Sequence, residues 1–203
     1  MKNVLVINSS LNGESGNSNK MTTKFMEQVQ QRQQVQVTSI DLQSLNLPHL
    51  STDEMQTWGI PADERTPEEH KLAAISDNLI EQISWADVIV VGMPMYNFGV
   101  PSTFKAWIDR VARAGVTFRY TETGPEGLLK NKQVYVMAAR GGVYEGTAKD
   151  SQSVYLRDVF NFLGIEDVYF IYAEGLAMGP EAAELAWSKI NEKYFELIEN
   201  MKD

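Results

Sequence analysis

Val88-Ile89-Val90-Val91-Gly92-Met93-Pro94-Met95-Tyr96-Asn97-Phe98 is the stretch whose reading decides the fold. Its first six residues carry no polar side chain, and Pro94 then closes the run. A strand without polar alternation is buried on both faces, the pattern of a parallel sheet covered by helices. Ligands of such sheets bind beyond the carboxyl ends of the strands. Met95 to Phe98, a thioether, two aromatics and an amide, therefore stand where a site is expected.

Working outward, Val4-Leu5-Val6-Ile7 is a second apolar strand, followed by the polar run Asn8 to Asn19. Met21, Phe25 and Val29 then repeat every four residues, which marks a helix with one buried face. Hydroxyls and free amides ahead of a helix N-terminus form an anion site without any lysine cluster. Ser10 with Gly16-Asn17-Ser18 reads as such a phosphate cradle, and the alternative is that Ser18 only caps the helix. Neither G-x-G-x-x-G nor G-x-x-x-x-G-K-[ST] is present. Asp41, after a second strand Val35 to Ile40, is either a ribose-binding acid or a surface aspartate. Downstream, Gln133 to Ala139 is a further apolar strand that delivers Arg140-Gly141-Gly142. Two glycines there either let backbone amides approach a flat ligand or make a tight turn. Val168 to Tyr172 is the last strand.

The helices between these strands carry their own signals. Thr66, Pro67 and Glu69 spell a capping box with proline at the first helical position, and Leu72, Ile75, Leu79 and Ile83 form the apolar stripe. Ser102 is a candidate cap for a helix lined by Phe104, Trp107, Ile108 and Val111, with Arg110 and Arg113 placed to complement its dipole. Tyr155, Val159 and Phe162 lie on one line of a helix and Leu156, Phe160 and Leu163 on another, which suggests burial on two sides, with a subunit interface as one candidate. Val116 to Tyr120 alternates like a short strand, and Thr121 to Gly127 reads as a turn-rich loop. Leu42 to Arg65 is an irregular excursion, a wall or lid over a site or a surface loop. His49 and His70 have no ligand-like companions and read as solvent-exposed. Five strands alternating with helices argue for one α/β domain spanning residues 1–203.

Composition narrows the function classes. The chain has 203 residues, 43% apolar and 22% charged, and a net charge of −9 that disfavours nucleic acid or an anionic membrane as partner. It has no cysteine, which removes disulfides, thiolate catalysis and Cys-ligated metal. No apolar run approaches the ~18 residues of a membrane span, and the start has no signal-peptide pattern. A cytoplasmic protein is expected. No Ser-His-Asp, Cys-His or metal constellation is visible, so the chain itself offers little covalent or acid–base catalysis.

Ser9-Ser10 with Gly16-Asn17-Ser18, Pro94 to Phe98, Val111 to Tyr120, Arg140-Gly141-Gly142 and Ala173-Glu174-Gly175 together resemble the bacterial FMN-dependent NADH azoreductase and quinone reductase family. The resemblance runs from the first strand to the last helix. It implies a flavodoxin-like three-layer α/β sandwich, with a five-stranded parallel sheet in the order 2-1-3-4-5 and helices on both faces. It also implies a homodimer with an FMN site near each subunit contact. By the same resemblance, Ser10, Gly16, Asn17 and Ser18 would bind the FMN phosphate. Met95, Tyr96, Asn97 and Phe98, with Ala139, Arg140, Gly141 and Gly142, would embrace the isoalloxazine. Phe98, Tyr120 and Phe162 would wall the acceptor pocket, some of them from the partner subunit. The chain departs from the family at Ala139, where serine is common, and near Gly16, where another hydroxyl is often found. The implied activity is ping-pong reduction of quinones and aromatic azo compounds by NADH, with amides of Asn97, Gly141 and Gly142 stabilising charge on the reduced ring. The competing reading is a flavodoxin-type electron carrier; a nicotinamide-binding Rossmann protein lacks its glycine fingerprint.

Overall fold

The computed structural model describes residues 1–199 and 201 of the chain. Its first half runs β1 (Lys2–Asn8), α1 (Asn17–Arg32), β2 (Val35–Asp41), α2 (Thr52–Thr57), α3 (Pro67–Trp85), β3 (Val88–Pro94) and α4 (Ser102–Val111). The second half runs β4 (Phe118–Thr121), β5 (Gly124–Gly127), β6 (Gln133–Ala139), α5 (Ser151–Leu163), β7 (Asp167–Ala173) and α6 (Pro180–Glu199).

Five strands form a parallel sheet in the order β2-β1-β3-β6-β7, which is the flavodoxin-like order expected from the sequence. Every residue of β3 and of β6 is buried, as strands sandwiched between helices must be. The register pairs Ile7 with Val91, Val91 with Val136 and Val136 with Phe170. It also brings the ends of β1, β3, β6 and β7 to one edge, so that the three unusual loops following β1, β3 and β6 become neighbours.

Each face of the sheet has its own core. On one, Val4, Val6, Val88, Val90, Tyr135 and Met137 meet Met21, Phe25 and Val29 of α1 and Ile190, Tyr194 and Leu197 of α6. On the other, Leu5, Ile7, Ile89, Val91, Val134 and Val136 meet Leu79 and Ile83, Phe104 and Trp107, and Leu156 and Phe160 from α3, α4 and α5. No helix among the described residues is long and apolar enough to cross a membrane.

The capping box of α3 forms as read: the Glu69 amide donates to Thr66 Oγ1 at 3.3 Å and the Thr66 amide to Glu69 Oε2 at 2.7 Å. Those bonds hold the Glu69 carboxyl below the usual carboxylate range. Leu72 and Ile75 are only half-buried; Ala73 and Ser76 take the inner positions. Ser102 does not cap α4, because Pro101 occupies that position and Ser102 is already helical. The turn-rich loop after Tyr120 is a strand as well: β4 and β5 form an antiparallel hairpin. The hairpin lies backbone to backbone on the end of α5, where a Cβ on Gly127 would sit 2.0 Å from the Gly164 nitrogen.

The excursion between β2 and α3 is ordered around α2 and a short 3-10 turn at Ala62–Glu64. Arg110 and Arg113 hold it down. Arg110 is fully buried and grips Glu54 with two bonds, Nε to Oε1 at 2.8 Å and Nη2 to Oε2 at 2.7 Å, while Nη1 donates to the Pro48 and Ala106 carbonyls. Arg113 pairs with Asp77, donates to the Trp58 carbonyl and lies 5.5 Å from the Trp58 ring centroid. Both arginines therefore serve a long-range contact, beyond the helix dipole that their spacing suggested. His49 and His70 are exposed.

Candidate functional site

A cleft of about 210 Å³ opens at the carboxyl edge of the sheet, between the loops that follow β1, β3 and β6. Ser10, Asn17, Ser18, Met95, Tyr96, Ala139, Arg140 and Gly141 all line it. Residues widely separated in sequence thus converge because the parallel sheet stacks their strand ends side by side. Larger clefts exist elsewhere, one of them at the opposite, amino edge of the sheet around Met1, Asp87 and Lys132, but eight of the residues singled out from the sequence line this one, while Gly16, Asn97, Phe98 and Gly142 belong to the same loops without lining it.

The first loop supplies the polar floor. Gly16 is the N-cap of α1, so the amides of Asn17 and Ser18 belong to the first turn, whose N–H groups have no intrahelical acceptor. Ser18 is buried inside the helix and does not cap it; among the described residues its hydroxyl makes a 3.5 Å contact to Asn19 Oδ1. Ser10 is buried next to Gly16, where a Cβ would lie 2.2 Å from Ser10 Oγ. The Asn12 amide donates to that oxygen at 3.2 Å. Tyr96 reaches across from the end of β3, its hydroxyl accepting from the Leu11 amide at 3.2 Å and standing 3.5 Å from Ser10 Oγ. The first and second loops are thereby tied together.

The second loop is a tight turn. Tyr96 and Gly99 exchange both backbone bonds, N–H to O at 3.1 and 2.9 Å, and the two residues between them are left-handed, Asn97 at φ 50° and Phe98 at φ 65°. This is the type I′ geometry that asparagine followed by glycine adopts most readily. Phenylalanine in that conformation carries a steric penalty of about 1–2 kcal/mol, and such strain collects at functional sites. Phe98 is half-exposed beyond the strand end and meets the Tyr144 ring edge-on at 5.6 Å.

The third loop divides its labour between backbone and side chain. The Gly141 and Gly142 amides meet no acceptor among the described residues. The Arg140 side chain turns inward and is buried, with Nη1 on Glu174 Oε1 at 2.9 Å and Nη2 on Asp150 Oδ1 and Ser153 Oγ, each at 2.8 Å. Glu174 also accepts from the Tyr144 and Glu145 amides. Arg140 is thus the staple of the 141–150 loop. Burial disfavours the Asp150 anion, but the bonds from Arg140 and Ser153 outweigh it and hold the carboxyl below its ordinary range. Burial pushes the neighbouring Tyr172 phenol up.

Tyr120 and Phe162 lie outside the cleft lining. Phe162 packs on Phe118 with ring centroids 4.4 Å apart, and Tyr120 projects from the hairpin, 74% exposed.

Comparison with known proteins places this geometry. A family model described as "Flavodoxin-like fold" matches residues 2–198. The FMN-dependent NADH:quinone oxidoreductase of Pseudoalteromonas atlantica is 56% identical over 198 residues, 98% of each chain. The chain belongs to the FMN-dependent NADH:quinone oxidoreductase family. The relative of that name from Alteromonas mediterranea is 53% identical, over 97% of this chain and 98% of its own. Among solved structures, an FMN-dependent NADH-azoreductase from Bacillus anthracis in complex with FMN superimposes with a TM-score of 0.85 at 29% identity, covering 98% of this chain and 100% of the other.

In this family member the sequence reading missed three parts of the site. Leu176 and Ala177, after β7, complete the cleft wall. Tyr144 lies over Gly142, where a Cβ would meet its hydroxyl at 2.8 Å. Gln152, buried at the start of α5, donates through Nε2 to the Pro94 and Gly99 carbonyls, both at 2.9 Å. Only the aromatic character of Tyr144, close after Gly141-Gly142, could have drawn notice. A glutamine in the first turn of a helix carries no local signal.

Proposed function

We propose that the cleft between the three loops holds FMN and that the chain, working as a single flavodoxin-like domain in a cytoplasmic homodimer, uses NADH to reduce quinones and aromatic azo compounds. The observation that carries this reading is the convergence of one polar, amide-rich loop with two loops that meet as walls. The donor set fits the cofactor. Unpartnered amides at the α1 N-terminus with the Ser10 and Ser18 hydroxyls suit a phosphate without a lysine. Free Gly141 and Gly142 amides beside Met95 to Phe98 suit the polar edge of a flat ring. Gly16 and Ala139 offer no hydroxyl, so the phosphate and ring contacts fall to backbone groups at those positions.

When bound, FMN supplies the two-electron chemistry between donor and acceptor. The chain binds and orients. Ser10 and Gly16 to Ser18 hold the phosphate end, and Met95 to Phe98 with Ala139 to Gly142 hold the ring. Arg140 contributes its backbone to the cleft and keeps its loop in place through Asp150 and Glu174. Amides of Asn97, Gly141 and Gly142 would donate to the polar edge of the ring and favour its negatively charged form. In a ping-pong order NADH and the acceptor would occupy the cleft mouth in turn, and an azo bond, needing four electrons, would take two such rounds.

Phe98 stands at that mouth from its own subunit. Tyr120 and Phe162, outside the lining of this cleft, complete the acceptor pocket of a second copy. The half-buried Tyr155, Val159 and Phe162 on α5 support that contact. The purified protein should be yellow and should oxidise NADH with menadione as the only acceptor, giving parallel lines in double-reciprocal plots. Bound flavin without turnover would favour the electron-carrier reading, and colourless protein that fails to take up added FMN would refute the cofactor assignment.

A further inference from the structure

Asn97 tolerates the left-handed conformation, but Phe98 stands in one that its side chain disfavours, and a strained turn persists only where its surroundings over-determine it. The surroundings here are the first residues of α5. Gln152 donates two bonds from one amide nitrogen, to the Pro94 carbonyl at the end of β3 and to the Gly99 carbonyl on the far side of the turn. Ser151 Oγ donates to the Phe98 carbonyl at 2.7 Å, between those two points. Because both partners of Gln152 are acceptors, its NH2 must face them. Its Oε1 is left buried without a partner among the described residues, which by itself is unfavourable. The two bonds its NH2 makes across the turn offset that penalty.

We propose that Gln152 is a positioning residue that locks the Tyr96–Gly99 turn in its left-handed form, so that Asn97 and Phe98 are presented to the FMN ring before the cofactor arrives. The inference rests on the cleft's assignment to FMN. Gln152 itself does not line the cleft, and its side-chain hydrogen bonds among the described residues go to carbonyls of the chain. Its two bonds span the turn from entry to exit, so losing them frees the backbone to relax toward ordinary φ values. Relaxation would swing the Phe98 ring away from Tyr144 and the Asn97 amide away from the cleft. Ser151 alone, held at one carbonyl, fixes a single point and leaves the turn free to pivot.

The test is a double-mutant cycle on the full-length protein. Gln152→Leu keeps the side-chain volume and removes both donors; Phe98→Gly removes the steric reason for a lock, since glycine adopts the left-handed conformation freely. FMN dissociation constants are measured by fluorescence quenching of flavin on titration with apoprotein. Exchange of the Gly99 amide, which donates to the Tyr96 carbonyl, is followed by NMR in the same apoproteins. Gln152→Leu should weaken FMN binding about tenfold, a change of about 1.4 kcal/mol, and speed Gly99 exchange by at least as much. In the Phe98→Gly background the same substitution should change both by less than about threefold, because the turn no longer needs the lock. Equal effects in the two backgrounds, or FMN binding and exchange unchanged by Gln152→Leu, would overturn the proposal. Failure of the unmutated protein to bind FMN would instead overturn the cofactor assignment, and the exchange measurement would still decide whether Gln152 locks the turn.

Discussion

Removing Glu54 should make the protein much easier to unfold, although Glu54 is not among the residues lining the cleft. Glu54 is 2% exposed, and Arg110 is completely buried with its guanidinium bonded to both Glu54 oxygens. Glu54→Ala leaves that cation in the interior with the Pro48 and Ala106 carbonyls as its partners among the described residues. Breaking one side of a buried pair costs about 3–5 kcal/mol, and the two remaining carbonyls place the loss near the low end, about 3. With a urea m-value of about 2 kcal/mol/M, the unfolding midpoint should fall by about 1.5 M. Equilibrium unfolding followed by tryptophan fluorescence measures this. Glu54→Gln, which keeps one acceptor, should lose less, and Glu54→Met combined with Arg110→Met should recover most of the stability because no buried charge remains. A loss below about 1 kcal/mol for Glu54→Ala, the range of exposed pairs, would refute the buried contact and the packing of residues 48–58 on α4.

Acid should expose the Arg140 staple. The Asp150 pKa is depressed in the folded state, so its contribution to stability is complete above the unfolded value, about 3.9, and is lost as pH falls through the folded one. Asp150→Asn should therefore flatten the fall in urea midpoint below about pH 4, and an unchanged acid limb would count against it. Arg140→Lys should not restore FMN affinity lost in Arg140→Met, since a single ammonium cannot serve Asp150 and Glu174 with the geometry of a planar fork; equal affinities for Arg140→Lys and wild type would argue otherwise. Tyr120→Ala, at an exposed position, should change stability by less than about 0.5 kcal/mol and yet raise the KM for menadione, while an unaltered KM would take Tyr120 out of the acceptor pocket.

The parts of the fold visible in the sequence were those set by local chemistry. Val88 to Met93 declared a doubly buried strand, and Thr66-Pro67-Glu69 declared a helix start, because each signal is complete within a few residues. The loops after β1, β3 and β6 are marked by composition, and a parallel sheet of these strands by itself implies that they meet. Arg110 shows the opposite case. Its spacing on α4 fits a dipole contact, while its partner Glu54 sits in an excursion whose path no periodicity reveals. Ser18 and Ser102 looked like caps because serine caps often; in the structure glycine and proline hold those positions and the serines are already helical. The β5 strand was hidden for a related reason, since Gly124-Pro125-Glu126-Gly127 has turn composition and pairs only because it lies against Phe118–Thr121.

Asn97 and Phe98 join these two kinds of information. The sequence marks them by position, at the end of a buried strand, and says nothing of their backbone. The structure adds that a phenylalanine occupies the place in the turn where glycine would be easier, with Ser151 and Gln152 donating to the carbonyls around it. An ordinary hairpin between two strands would be served by Asn-Gly without help from another helix. The bonds from α5 offset the strain of keeping the aromatic ring at this point. The start of α5 supports the site from behind, while its Asp150 cap also receives Arg140 from the third loop. One helix end thus stabilises two of the three loops, and a perturbation there should be felt at the cleft sooner than one of equal size elsewhere in the core.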